Sequence, residues 1–224
     1  MTAGVSAKRS RRSPAQPADT KERLLHAGER LFAEQGIHRV RLRDLNELAG
    51  QRNSSALHYH FGSRMGLVTA ILTHHQGHVD ARLGARLDEL EAAGPAPVRA
   101  LVEAVVTPLS AELETQSGRD FLRIVPQILP ALSRNLRSGR IEPMTAETAR
   151  LLDLLEERMR PLPAPVRRER LITYALVLTS VLADRALQIE SGRPMVLDGR
   201  QFVAHVVDII AGALTAPSTV TFDT

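Results

Sequence analysis

The stretch from Arg41 to Phe61, RLRDLNELAGQRNSSALHYHF, constrains this chain more than any other. Leu42, Leu45, Leu48 and Ala49 recur at helical spacing, so one side of a short helix is apolar. Gly50 follows, where a helix end calls for a residue able to adopt positive φ. Asn53, Ser54 and Ser55 then offer N-caps for a second helix running to Phe61. Within it Leu57 and Phe61 are four apart and can pin the helix to a small domain, which leaves Ser54, Ser55, His58 and Tyr59 facing outward. Two short helices around a tight turn make a helix-turn-helix, whose second helix lies in a DNA major groove.

The flanks extend this unit. Upstream, Asp19 and Thr20 are good N-caps and Glu22 stands three after Asp19, as in a capping box. Leu24, Ala27, Leu31 and Phe32 form an apolar stripe, and Gly36 ends that helix. Downstream, Gly62 breaks the chain and Ser63 can cap a helix opening with Arg64.

These motifs together resemble the TetR family of transcriptional regulators. They are Leu31-Phe32-Ala33-Glu34-Gln35-Gly36, Leu45-Asn46-Glu47-Leu48-Ala49-Gly50 and Leu57-His58-Tyr59-His60-Phe61-Gly62-Ser63-Arg64, and the resemblance covers about Thr20 to Leu72. Ser54-Ser55-Ala56 replace the family's common Lys-Gly-Thr, and the turn from Gly50 to Leu57 is one residue longer than usual. The resemblance implies phosphate contacts from Tyr59, His60 and Arg64. Ser55, Ala56 and His58 are the candidates for base reading, with Ala56 meeting a thymine methyl, and Asn53 and Ser54 belong to the same candidate interface. Thr20, at a helix N-terminus, and Arg43, on the first helix of the motif, are further candidates for the DNA backbone.

Charge is distributed as such an interface requires. The formal net charge is +4. Residues 1–66 hold twelve Lys/Arg against six Asp/Glu, while the remainder holds seventeen against nineteen. Positive charge concentrated in one third releases counterions from a polyanion. The bland alternative is a solvated, slightly basic domain. The absence of cysteine excludes disulfides and thiol catalysis and fits a reducing cytoplasm, the expected location. No apolar run approaches the roughly 18 residues that cross a bilayer, so no membrane partner is expected. The first eighteen residues read as a disordered basic arm in which Lys8, Arg9, Arg11 and Arg12 face phosphates or merely add solubility.

The expected fold is all-α: a DNA-binding domain at 19–63, a helical effector-binding and dimerisation domain at 64–215, and a tail at 216–224. A long helix from about Arg64 to Ala92 joins the two domains. Pro126 and Pro130 interrupt a helix from about Arg119 to Leu136, and such breaks hold neighbouring helices apart around a pocket or simply kink the packing. Arg123, Gln127 and Tyr174 are polar positions within apolar helical stretches and are the candidate effector ligands, with Asp184 a fourth such position; each is equally a core or dimer-seam group. Residues 166–190 and 201–214 are apolar around most of their circumference, which calls for a four-helix homodimer interface. Asp at Val207 or Ile210 is expected to give monomers. The resemblance implies the same dimer and, with it, an inverted-repeat operator in double-stranded DNA.

His74, His75 and His78 form a cluster whose spacings of three and four put pairs on one helix face, which suits Zn²⁺, but exposed or groove-lining histidines are the plainer reading, and no metal or cofactor is expected. No catalytic set is present in the sequence: no phosphate-cradling glycine loop, nucleophile elbow or metalloprotease helix. The expected function is a repressor released from its operator by a small-molecule effector. The alternatives are an all-helical small-molecule-binding protein or enzyme, and a DNA binder that ignores effectors.

Overall fold

The structure, a computed structural model, describes residues 17–51, 55–137 and 145–221. The basic arm with Lys8, Arg9, Arg11 and Arg12, and the candidate contacts Asn53 and Ser54, lie outside the described residues. Nine α-helices and one 3₁₀ turn make up the ordered elements among them: α1 (Pro17–Gln35), α2 (Leu42–Leu48), α3 (Ala56–Phe61), α4 (Arg64–Ala92), α5 (Val98–Ala111), η1 (Glu112–Glu114), α6 (Gln116–Arg137), α7 (Ala146–Arg158), α8 (Ala164–Glu190) and α9 (Gly199–Thr215). The all-α expectation holds.

The helix ends show how the sequence is punctuated. α1 already includes Asp19 and Thr20, the residues expected to cap it. It ends at Gly36, whose φ of 90° only glycine adopts freely. Ser63 caps α4 by accepting the Gly66 amide at 3.0 Å. Gly66 permits the sharp α3–α4 corner, since a Cβ there would lie 1.9 Å from the Phe61 carbonyl oxygen.

α2 departs from its expected stripe. Leu45, Asn46 and Ala49 are buried, whereas Leu42 and Leu48 are 44% and 56% exposed. Asn46 is tolerated inside because its amide donates to the Leu42 carbonyl at 3.0 Å. The helix is turned so that a polar residue takes the place given to Leu42 and Leu48.

A small apolar cluster of Leu24, Ala27, Ala49 and Ala56 holds α1, α2 and α3 together, with Phe61 against it. The main core is continuous with this head. Phe32, Ile37, Leu45 and Leu57 pack into the same cluster as Leu67 and Ile71 of α4 and, beyond them, Leu101, Ile124, Leu155, Leu178 and Val206. α1 crosses α4 closely at Gly28, where a Cβ would meet Leu67 Cδ2 at 2.8 Å. In the larger domain α6 lies along α8 and α1, and α5 lies along α9.

α6 runs unbroken through Pro126 and Pro130. Two grooves lie away from these prolines. One, of about 290 Å³, lies between α5 and α9 at Arg99 and Arg200. Another, of about 100 Å³, lies between α8 and α9 at Tyr174 and Ile210. Neither is lined by α6.

α8 buries Ile172, Tyr174, Leu178, Leu182, Arg185 and Ala186 on one side. Arg185 is accommodated by stacking on Phe202 of α9, 4.7 Å from the ring centroid, and by donating to the Leu197 carbonyl at 2.7 Å. Leu176 and Leu187 stand 38% and 51% exposed on the same helix, and Ile209 of α9 is 49% exposed. By length and composition alone α8 is also apolar enough to cross a membrane, with one third of its most apolar window buried. The sequence expectation that no apolar run approaches that length does not hold for α8 on these two criteria.

Candidate nucleic-acid interface and its junction with the larger domain

α3 is short, and its two faces are sharply divided. Ala56 and Leu57 are buried at 8% and 2% exposure. Ser55 and His58 are exposed, Tyr59 is 81% exposed and His60 is half-buried. Tyr59 and His60 pack edge to face with centroids 5.0 Å apart, which restrains both rings without covering the phenol. The helix therefore presents hydroxyl, imidazole and phenol groups on one surface, donors and acceptors of the kinds that meet phosphates and base edges. Ala56 faces the other way. It packs with Leu24, Ala27 and Ala49, so it serves the head's core and is not placed to touch a thymine methyl.

The neighbouring candidates are distributed unevenly. Arg43 is exposed and within 3.5 Å of Glu47 and 3.8 Å of Asp44. Thr20 is buried at 9% exposure, and its hydroxyl lies 3.5 Å from an Arg23 nitrogen. Arg64 is engaged internally: one guanidinium nitrogen donates to the Val40 carbonyl at 2.7 Å and the other to the His38 carbonyl at 3.2 Å. It ties the start of α4 to the turn before α2. Arg39 and Arg41, which the sequence reading did not single out, are exposed on that same turn. Their signal was their alternation with Val40, whose burial at 1% turns its neighbours outward.

Arg123 and Gln127, expected to orient an effector, instead fasten α6 to the end of α1. Arg123 donates to the Ala33 carbonyl at 2.9 Å and to Glu190 of α8 at 2.5 Å. Gln127 donates to the Phe32 carbonyl at 3.0 Å and accepts the Ile37 amide at 2.8 Å. The Ile37 amide goes to Gln127, so the Ala33 carbonyl lacks its backbone donor and Arg123 supplies one; the Phe32 carbonyl accepts from both Gln127 and the Gly36 amide. Around them Arg30 of α1 reaches Asp120 at 3.5 Å and Glu190 at 3.7 Å. Burial, with Glu190 adding to it, holds the Asp120 carboxyl above its ordinary range against the hydrogen bond from Gln116 and the charges of Arg30 and Arg123. Tyr174 is buried beside the smaller groove, and burial pushes its phenol well above the usual range. Asp184 is exposed and accepts from Gln188 at 2.6 Å.

The three histidines divide. His74 and His78 are exposed, with centroids 5.8 Å apart on one face, whereas His75 points inward at 4% exposure. His75 lies between Glu29 of α1 and Glu112 of η1. Among the described residues no cluster has the makings of a metal site.

Residues 24–71 match the sequence profile described as "Bacterial regulatory proteins, tetR family". Over 86 residues the chain is 35% identical to the probable HTH-type transcriptional regulator ArpR of Pseudomonas putida, and 34% identical to the HTH-type transcriptional regulator TtgR of the same species. Each match covers 38% of this chain and spans only 40% of the relative's own length. Among solved structures, the probable transcriptional regulatory protein RHA5900 superposes over 88% of this chain and 100% of its own, with a TM-score of 0.50 and 21% identity. That likeness concerns the fold alone.

Proposed function

We infer, from the match of residues 24–71 to the tetR family of bacterial regulatory proteins, a dimeric regulator of transcription that belongs to that family, binds duplex DNA and is released by a small molecule. The observation that carries this reading is the division of α3. Ala56 and Leu57 are committed to the core, which leaves Ser55, His58 and Tyr59 on an open surface of a helix too short to be stable alone. Tyr59, His60 and the exposed Arg39, Arg41 and Arg43 meet the phosphates, while Ser55 and His58 read base edges. The protein acts in the cytoplasm, as a repressor, and uses no cofactor or catalytic step.

Two copies pair through α8 and α9. The exposed Leu176 and Ile209, beside the groove at Tyr174 and Val177, form an apolar surface that a second copy covers. Pairing places two recognition helices about 34 Å apart, one turn of duplex, so the operator is an inverted repeat. Effector binding in the larger domain strains the bonds from Arg123 and Gln127 to the end of α1 and changes that spacing. A coupling of about 1–3 kcal/mol suffices to shift occupancy.

Selection from random duplex, followed by footprinting on the upstream region of its own gene with and without a metabolite panel, tests the reading. The expected result is a protected inverted repeat that a metabolite releases. A chain that never prefers one duplex over random sequence ends it. The cavities found lie at the surface, away from α6, and this favours a second reading, a DNA binder without effector. That protein would give the same footprint under every metabolite.

A further inference from the structure

The interior of the domain junction holds a charged cluster for which DNA contact supplies no role. Four elements meet at the ring of His75. It belongs to α4; its Nδ1 lies 2.7 Å from a Glu112 oxygen on η1, and its Nε2 lies 3.1 Å from a Glu29 oxygen on α1. Phe121 of α6 stacks on it with centroids 4.5 Å apart and planes 13° from parallel. Glu29 is 1% exposed, and its other oxygen accepts from the Ser117 hydroxyl of α6 at 2.7 Å and lies 3.0 Å from His26 Nδ1.

The geometry dictates the charge. An ionised carboxylate only accepts, and both ring nitrogens face one. The ring must therefore donate from both, which makes it an imidazolium. A neutral ring would turn one lone pair toward a carboxylate in a dry interior. Burial works against the cation, but the hydrogen bonds and charges of Glu112 and Glu29 outweigh it and push His75 up to about 9. Burial likewise opposes ionised Glu29, and the bonds from His75, Ser117 and His26 overcome that and hold it below its ordinary value. The groups facing the ring are thus Glu29 from α1, itself bonded by His26, Glu112 from η1, Ser117 and Phe121 from α6, and His74, edge-on at 5.2 Å, from α4 itself.

Ser117, His75 and Glu112 have the spacing of a nucleophile, base and orienter, with the Ser117 hydroxyl 3.3 Å from Nε2. Glu29 removes that possibility. It takes the serine proton and the Nε2–H together, so the imidazole is never a free base at neutral pH. The cluster binds elements together and does not react.

We propose that His75 is the positioning residue by which the larger domain sets the pose of α1, and through α1 the pose of the recognition helix. Glu29 is the group on α1 that both ring and hydroxyl grip, and α1 carries Leu24 and Ala27, against which Ala49 after α2 and Ala56 of α3 pack. The link runs from η1 through the ring to α1, so a change that begins at Glu112, outside the reading head, reaches α3. This inference rests on the DNA-binding reading above only for its functional consequence.

The test uses the full-length chain in three measurements. In wild type, ¹³C-edited NMR of the histidine rings follows His75, which is expected to titrate far above its ordinary value; titration at or below that value overturns the proposal without any variant. Hydrogen exchange compares wild type with Glu112→Gln at neutral pH. Faster exchange across α1 with α9 unchanged is expected, and a change confined to η1 overturns it. Finally, affinity for a duplex that wild type selects from random DNA is read from neutral to alkaline pH. Wild type is expected to lose about fivefold or more on deprotonation, a coupling of the usual allosteric size, and His75→Gln to show a flat profile; parallel profiles overturn the proposal. If wild type selects no duplex, the functional reading fails, and the exchange comparison still decides whether His75 positions α1.

Discussion

Gln127 accepts the Ile37 amide at 2.8 Å, a bond between α6 and the exit of α1 that spans 90 residues of chain. Ile37 is 2% exposed, so its N–H has no water to turn to. Gln127→Ala should cost about 1–3 kcal/mol, the penalty for a buried donor left unpaired. Gln127→Glu keeps the acceptor but sets an oxygen against the Phe32 carbonyl, and should recover only part of the loss. Urea unfolding midpoints of the three proteins check the order.

The apolar seam should be probed at Ile209. Val207 and Ile210 are each 1% exposed within a single protomer, so Asp at either unfolds the chain and cannot report on pairing as the sequence suggested. Ile209 is 49% exposed. Ile209→Asp should leave helix content by circular dichroism intact and give monomers in sedimentation. A dimer of unchanged stability would place the interface elsewhere.

Tyr59→Phe removes one hydroxyl from the most exposed ring of α3 and should weaken binding to all duplexes alike. Ser55→Ala and His58→Ala should instead change which sequences are selected, by about 1–3 kcal/mol at the affected base pair. Parallel selections with the three variants check this; an identical uniform loss from all of them would sink the division between backbone and base contacts.

Arg64 separates two roles. As a clamp on the His38 and Val40 carbonyls it should matter to stability, whereas a phosphate contact contributes to the salt dependence. Arg64→Ala should lower the melting temperature and leave the slope of log affinity against log salt unchanged. A slope smaller by about one would show that it neutralises a phosphate.

Stability should have two limbs in pH. His75, raised to about 9, contributes fully below its ordinary 6.5, and that contribution is lost as pH climbs through about 9. Glu29, lowered, contributes above its ordinary 4.5 and loses this as pH falls. Denaturation midpoints across pH should show a plateau between about 4.5 and 6.5 and fall off on the alkaline side from there through about 9. His75→Gln should flatten the alkaline limb.

The sequence revealed most where side-chain chemistry acts locally. The glycines at 36, 50 and 62 all have positive φ, so the breaks between the first helices were readable from the residues that tolerate that conformation. The stripe on α2 was misread because Leu42, Leu45 and Leu48 fit one helical face on paper, yet burial also depends on which neighbour approaches; α1 chose the side holding Asn46. Arg123 and Gln127 were recognised as polar groups needing partners, but their partners lie some 90 residues away, at the end of α1. His75 was hidden for the same reason. Nothing in His74, His75 and His78 distinguishes the one that turns inward until Glu29 and Glu112 are brought to it by the packing of α1 and η1.

Gly28 has a consequence for the whole assembly. With no side chain between them, α1 and α4 are held at touching distance by a single hydrogen atom, against Leu67 and Ile71, which are both fully enclosed. A methyl group at that position would act as a shim: it would improve the local helix by about 1 kcal/mol, yet wedge the crossing open and tilt everything carried on α1. The bare residue thus works as a tolerance specification for the crossing of α1 and α4; in the dimer proposed above, how little stands at residue 28 would help to set the separation of the two reading heads.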